Sequence, residues 1–462
     1  MSERETAAVI LAAGLGTRMK SARPKVLHPL AGRPMIAHLA ATLEELRLSR
    51  TVVVVGAAMD QVADAVPGAT VVRQEPPLGT GHAVMAAGAA LEGFSGEVLI
   101  LFGDCPLVRP ETLRAMLEAR AREPEPAVVV MGFRPADPTQ YGRLVVAGDG
   151  ALEAIVEAGD ASPEERAIGL CNAGAMVLDR ALLFDLLDGL GRDNAKGEYY
   201  LTDIVAAARR RGQRCAVVEG APEEALGINS RADLVAAEAL IQTRLRHAAM
   251  EAGVTLIDPE TIYFCHDTRI GRDSVVGPYV FFGPGVTIAE RVTVKAFSHL
   301  EGVVEGSQNG VHVEADAIIG PFARLRPGAH IESRARIGNF VEVKQAVVEA
   351  GAKVNHLSYI GDARVGAEAN VGAGTITCNY DGFKKSFTDI GAGAFIGSNT
   401  ALVAPVKVGD GAIIGAGSVI SRDVAADALG LTRAKQSEHE GWAARLRRRM
   451  SAAKGGKKTG EG

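Results

Sequence analysis

Directly after the apolar run 7–13 (AAVILAA), the chain reads Gly14-Leu15-Gly16-Thr17-Arg18-Met19-Lys20. Two glycines, a hydroxyl and two cations where a strand hands over to a helix can wrap phosphates with backbone N–H groups, while Arg18 neutralises charge. The spacing is neither that of a P-loop nor that of a dinucleotide fingerprint, so an anion-wrapping loop is all that follows from these letters. Asp104 stands just beyond a second apolar run, 98–102 (VLILF). An aspartate at the carboxyl end of a strand is either a helix N-cap or an oxygen ligand for a hard cation, and both readings stand. Lys25, in Arg23-Pro-Lys-Val-Leu-His, reads as a surface lysine as readily as a phosphate partner.

The elements that must position these residues are strands and helices in alternation. Further apolar runs at 51–55 and 127–131, separated by Ala-, Leu- and Glu-rich stretches of helical character, predict βαβ units and a mostly parallel sheet. Ligands of such sheets bind beyond the carboxyl ends of the strands, which is where the 14–20 loop and Asp104 fall. From 230 to 253, Leu234, Ala237, Leu240, Ile241 and Leu245 recur at helical spacing without proline, which predicts a connecting helix.

From 270 to 420 the pattern changes. A bulky apolar residue returns every sixth position, as in Ile270, Val276, Phe282, Ile288, Val294 and Leu300, again in Val313, Ile319, Leu325, Ile331, Ile337 and Val343, and again from Ile390 to Ile420. Neither a helix nor an ordinary strand sustains a strict six. A hexapeptide β-helix does: each hexad is one flat face of a triangular coil with its apolar residue pointing to the axis. The period slips by one residue at Val343 to Val348 and at Ile360 to Val365, and polar insertions at 302–310 and 378–387 interrupt it. Loops on a rigid coil are where binding groups collect, so the second insertion is expected to be functional.

Composition narrows the class. At 462 residues the chain is long for one core. Its 47% apolar and 5% aromatic content suits Val/Ile/Leu/Ala-packed parallel strands, and a net charge of −5 excludes the basic excess of a nucleic-acid binder. Seven basic residues between Arg445 and Lys458 are the exception, and 438–462 is expected to be a solvated, unstructured tail. The five cysteines are widely spaced and without a C-x-x-C pair, so neither a zinc site nor a disulfide framework is expected. The opening residues lack the basic-then-apolar plan of a signal peptide and no 18-residue apolar stretch occurs, which leads to the expectation of a cytoplasmic protein without a membrane span.

Four motifs in order, Leu-Ala-Ala-Gly-x-Gly-Thr-Arg-Met at 11–19, Pro-Lys-Val-Leu at 24–27, Leu-Gly-Thr-Gly-His-Ala at 78–83 and Gly-Asp-x-Pro-Leu at 103–107, resemble a sugar-phosphate nucleotidyltransferase. With the hexapeptide coil behind them, residues 5–442 resemble the family of bifunctional N-acetylglucosamine-1-phosphate uridyltransferases and glucosamine-1-phosphate acetyltransferases. The resemblance implies a Rossmann-like α/β nucleotidyltransferase domain (1–229), a connecting helix (230–252) and a left-handed parallel β-helix acetyltransferase domain (253–437). It also implies a homotrimer, and Mg²⁺, UTP and acetyl-CoA as cofactor and co-substrates.

By motif match, Leu11, Ala12, Ala13, Gly14, Gln74, Gly79, Thr80 and Gly103 are implied at the nucleotide. Arg18 and Lys25 are implied at the phosphates, Asp104 and Asn229 at the metal, and Gly142, Glu157 and Asn172 at the sugar. Phe102 departs from the family, which usually has tyrosine there. In the coil, His356 matches the general base, and whether Glu342 orients its ring is a question the sequence leaves open. Arg326 and Lys344 match the phosphate clamp, and Tyr359 and Asn370 the acceptor sugar. Ala373, Asn379, Tyr380, Ser398, Ala416 and Arg433 match the acetyl-CoA contacts; Lys384 and Lys385, in the same insertion, read either as partners of the CoA phosphates or as a merely solubilising pair. Two alternatives stay open: a monofunctional nucleotidyltransferase whose coil only oligomerises, and a non-catalytic scaffold subunit on the same two folds. The cluster around His356 counts against the first. The full set Arg18, Lys25, Asp104 and Asn229 counts against the second.

Overall fold

The computed structural model describes residues 4–14, 16–303 and 309–455. Leu15, within the glycine loop, and 304–308, within the first coil insertion, lie outside the described residues. The chain forms two compact units. One comprises Met1–Ala252 with Tyr263–Thr268, and the other Gly253–Ile262 with Arg269–Gly462.

The first unit is built on strands β1 (Thr6–Ala12), β2 (Arg50–Val55), β3 (Thr70–Arg73), β4 (Glu97–Phe102), β5 (Val128–Phe133), β6 (Arg143–Val146), β7 (Leu152–Val156), β8 (Cys171–Asp179) and β9 (Cys215–Glu219). Their order across the sheet is β9-β5-β8-β4-β1-β2-β3, with the β6–β7 hairpin joined to β8. Alternate residues of β1 enter opposite cores: Ala7, Val9 and Leu11 on one face, Ala8, Ile10 and Ala12 on the other. Both faces are covered, which is why these strands read as unbroken apolar runs rather than as alternation. One strand departs from the expected parallel pattern, since β8 runs antiparallel to both β4 and β5. It therefore begins where its neighbours end, and Asn172, opposite Gly132, reaches the carboxyl edge of the sheet.

The helix Arg231–Glu251 belongs to this unit. Ser230 caps it in a reciprocal box with Asp233, and its Ala237 and Ile241 pack with Leu30, Ala31, Met35, Leu107 and Ile228. The segment Tyr263–Thr268 seals the same region. Gln242 Nε2 donates to the Phe264 carbonyl at 2.6 Å, the Phe264 N–H donates to Gln242 Oε1 at 2.8 Å, and the His266 N–H donates to the Ala31 carbonyl at 2.8 Å.

In the second unit the hexad residues from Val276 to Ile420 are buried, while Ile270, on the first turn of the coil, is only half-buried. Successive coils pair in parallel. Arg324 faces Glu342, eighteen residues on, whereas Glu342 faces Tyr359, seventeen on, so each five-residue step shortens one coil by one residue without breaking the ladder. Across the 378–387 insertion Ala363 faces Thr388. Trp442–Gly455 corrects the expectation of an unstructured tail: it is an α-helix, because Ala, Leu, Met and Arg are strong helix formers and no proline interrupts them. Residues 456–462 lie outside the described residues.

Candidate functional site

In the first unit the candidate residues gather at the carboxyl edge of the sheet. Leu11 and Ala12 end β1 and are buried, Ala13 is half-buried, and Gly14 and Arg18 are exposed. The Gly103 N–H donates to the Leu11 carbonyl at 2.9 Å, which ties the two strand ends together and leaves Asp104 projecting beyond them. The Asp104 carbonyl accepts from the Ile228 N–H at 2.9 Å and so holds Gly227–Asn229 alongside. Asn229 itself is fixed by the helix that follows, its N–H donating to Asp233 Oδ2 at 3.0 Å.

Lys25 completes this cluster. Its ammonium lies 2.5 Å from Asp104 Oδ2 and 3.0 Å from Asn229 Oδ1, with only 10% of the lysine side chain and 20% of the aspartate side chain exposed. A β-carbon at Gly16 (φ +59°) would come within 2.7 Å of Lys25 Cβ, so only glycine lets the loop pass this close. Two oxygens converging on one positive charge are the donors a hard cation takes, so these residues fit a magnesium ion. Beside them, burial pushes the Cys105 thiol well above its ordinary range, and the Asp104 carboxylate adds to this.

Gln74 is buried, its Nε2 donating to the Gly79 carbonyl at 2.8 Å beside His82 Nδ1 at 3.2 Å. Gly79 (φ +106°) is packed so tightly on Glu198 and Tyr199 that no β-carbon fits. The Thr80 hydroxyl accepts from the Leu201 N–H at 3.0 Å. On the hairpin side, the Asn172 N–H donates to the Gly142 carbonyl at 2.8 Å, and Glu157 Oε1 accepts from the Thr202 hydroxyl at 3.1 Å. Phe102 packs on Gly174, whose own φ is +90°. A ring is all this contact requires.

In the coil, one corner stacks a column of residues. Asn339 lies opposite His356 in the ladder. The Gly374 N–H donates to the His356 carbonyl at 3.3 Å, the Asn399 N–H to the Ala373 carbonyl at 2.7 Å and the Gly417 N–H to the Ser398 carbonyl at 2.8 Å; Arg433 Nη1 donates to the Ala416 carbonyl at 2.8 Å. Ala373, Ser398, Ala416 and Arg433 therefore continue coil by coil from His356. Asn370 pairs with Lys353 on the strand that carries His356. The imidazole is exposed, and its Nδ1 lies 2.7 Å from Asn339 Oδ1.

Glu342 does not orient that ring. It is engaged by Arg326 Nη1 at 2.7 Å and Arg324 Nη1 at 3.8 Å, one coil below Tyr359, and the amide of Asn339 has the place at Nδ1 instead. The Tyr359 hydroxyl lies against Gly361, where a β-carbon would meet it. Lys344 faces Asp362 at 3.9 Å, and the same Asp362 oxygen accepts from Asn379 Nδ2, so Asn379 joins the Lys344 group while Tyr380 stays 61% exposed. Lys385 is beside Lys344 as well. Its proximity first, then burial, holds the Lys344 ammonium below the ordinary lysine range, with Arg326 adding to the effect and Asp362 opposing it. Arg326, Lys344 and Lys385 make a cationic group suited to an anion. Asn339 and Asp362 were not read from the sequence, and the available signal was the seventeen-residue coil, which puts Asn339 one coil below His356 and, as Tyr359 faces Ile376, Asp362 one coil below Asn379.

Comparison with known proteins agrees with this layout. Residues 8–219 match the model of the MobA-like NTP transferase domain, and 387–422 match the bacterial transferase hexapeptide (six repeats). A protein named bifunctional protein GlmU from Paramagnetospirillum magneticum is 58% identical over 98% of this chain and 99% of its own length. Its counterpart from Rhodospirillum rubrum is 64% identical over 96% of this chain and 98% of its own, and that of a Jannaschia species 53% over 98% of each.

Proposed function

This chain belongs to the bifunctional GlmU family, and on that premise we propose how its two units divide the chemistry. The protein is an enzyme of UDP-N-acetylglucosamine synthesis. It transfers an acetyl group from acetyl-CoA to glucosamine-1-phosphate and a uridylyl group from UTP to N-acetylglucosamine-1-phosphate, releasing pyrophosphate. The observation that carries the division is that each unit has candidate groups of its own: Lys25, Asp104 and Asn229 in the first, and in the second His356 on Asn339 together with the Arg326, Lys344 and Lys385 cations of the same coils.

In the first unit, the backbone of 11–14, Gln74, Gly79, Thr80 and Gly103 bind the nucleotide, and Gly142, Glu157 and Asn172 bind the sugar. Asp104 and Asn229 hold Mg²⁺, which when bound neutralises charge on the phosphates. Lys25 and Arg18 face the α-phosphate as the sugar-phosphate oxygen attacks in line, so catalysis here is positioning plus charge neutralisation.

In the second unit, Arg326 and Lys344 hold the phosphate of glucosamine-1-phosphate, and Tyr359 and Asn370 its sugar. His356 Nε2 removes the proton from the amine as the amine nitrogen bonds to the thioester carbon. The carbon–sulfur bond then breaks, and the protonated ring returns that proton to the CoA sulfur. Ala373, Ser398, Ala416 and Arg433, stacked on His356, hold the CoA end, and Asn379 and Tyr380 contribute to it from the 378–387 insertion. Lys385 serves the sugar phosphate with Lys344. The chain works as a cytoplasmic homotrimer. Supporting self-association, the exposed rings of Tyr279, Phe297, Phe322 and Phe340 stack at 5.0, 4.9 and 5.1 Å along the corner that carries Asn339. Among the described residues, no helix is long and apolar enough to cross a membrane.

Separating the units tests the division. Residues 1–268, which keep the Tyr263–Thr268 segment over Leu30 and Ala31, are expected to retain Mg²⁺-dependent uridylyl transfer and to lack acetyl transfer. Residues 1–252 are expected to melt lower, because hydrogen bonds worth about 1 kcal/mol each between Gln242 and Phe264 are lost. A folded 1–268 protein without uridylyl transfer would refute the division.

A further inference from the structure

The reading of His356 as the base leaves open what makes it one, since an imidazole is useful only if the nitrogen aimed at substrate carries the lone pair. We infer that Asn339 is the positioning residue for acetyl transfer: its amide oxygen accepts from His356 Nδ1–H at 2.7 Å and fixes the tautomer in which Nε2 is free. The inference rests on the His356 assignment and extends it.

Ladder geometry places the pair. Asn339 ends the strand Arg336–Asn339 and His356 ends Lys353–His356, and the two face each other in register. Each is followed by a corner residue in the left-handed region, Phe340 at φ 55° and Leu357 at φ 52°, so both side chains stand at the same point of successive coils. The Leu357 N–H donates to the Asn339 carbonyl at 3.0 Å, and the Ser358 hydroxyl to the His356 carbonyl at 2.8 Å, which pins the backbone on both sides of the ring. The five-residue step from Val343 to Val348 makes this register possible, because with a full eighteen-residue coil Asn339 would face Leu357.

An amide is also a chemically apt choice. A carboxylate at Nδ1 would stabilise the charged ring and raise its pKa, leaving less neutral base near pH 7. The amide orients without trapping the proton, so the ring can pass it on to the departing thiolate. Glu342, a carboxylate of the same coils, is committed to Arg326 and Arg324.

Steady-state acetyl transfer against pH with full-length Asn339→Ala and Asn339→Asp tests the role. Asn339→Ala is expected to lower kcat by about 10- to 100-fold, the usual loss when an orienting partner of histidine is removed, with KM for both substrates within about twofold and uridylyl transfer at wild type. Asn339→Asp is expected to move the acid limb of the kcat profile upward by about one pH unit or more and to regain rate above it. A mere packing role would lower the melting temperature and the rate of both variants alike without moving the limb, and that outcome overturns the inference. So does a wild-type kcat and profile in Asn339→Ala. His356→Ala, run in parallel, separates the levels: loss there with none in Asn339→Ala removes only the positioning role, whereas retained acetylation in His356→Ala removes the base reading and the inference together.

Discussion

Asp104→Ala is expected to lower Mg²⁺-dependent pyrophosphate release by about 10³-fold or more while acetyl transfer stays near wild type. A metal that neutralises phosphate charge contributes several kcal/mol to the transition state, and each 1.4 kcal/mol is a factor of ten. The substitution removes the anionic member of the pair that converges on Lys25 and leaves only the neutral Asn229 amide there. Asp104→Asn sharpens the test, since an amide of the same shape keeps an oxygen toward Lys25 but not the charge. It is expected to lose nearly as much, and wild-type rates in Asp104→Asn would show that charge at this position does not matter. Equal loss of both activities in a folded variant would contradict the assignment of Asp104 to one chemistry.

The second large effect falls in the coil. His356→Ala is expected to cost acetyl transfer 10² to 10⁴-fold, in the range for losing a positioned general base, while uridylyl transfer persists. The ring is exposed and bonded at Nδ1 to Asn339, so its removal leaves no cavity in the core and the coil is expected to melt unchanged. The residual reaction is expected to depend more steeply on high pH, because the substrate amine must then lose its proton to bulk water. A variant that acetylates like wild type would move attention to Lys344.

Much of the fold was legible because its residues repeat. The hexads Val276 to Val343 point to the axis as their period requires, and the apolar runs at 7–13 and 98–102 are central strands with both faces buried. What stayed illegible depends on contacts between residues far apart in sequence. Nothing in Cys171–Asp179 announces that it runs antiparallel and so delivers Asn172 to the carboxyl edge. Nor does the order of residues reveal that Tyr263–Thr268 returns to cover Ala31. In the site, the motifs paired Asp104 with Asn229 and set Lys25 apart at the phosphates, and only the structure brings both oxygens onto the Lys25 ammonium. Glu342 was the plausible partner for His356 by charge. The register of the coil gives the place to Asn339 and leaves Glu342 to the arginines.

The central claim is that one chain performs two transfers in two separate units, and an omission series on the purified full-length protein tests it most directly. Glucosamine-1-phosphate, acetyl-CoA, UTP and Mg²⁺ together are expected to yield UDP-N-acetylglucosamine, CoA and pyrophosphate. Leaving out UTP or Mg²⁺ should stop the reaction at N-acetylglucosamine-1-phosphate with CoA release unchanged, and leaving out acetyl-CoA should stop pyrophosphate release until N-acetylglucosamine-1-phosphate is supplied. CoA release that fails when only UTP or Mg²⁺ is withheld, or pyrophosphate released from glucosamine-1-phosphate and UTP with acetyl-CoA left out, would contradict it.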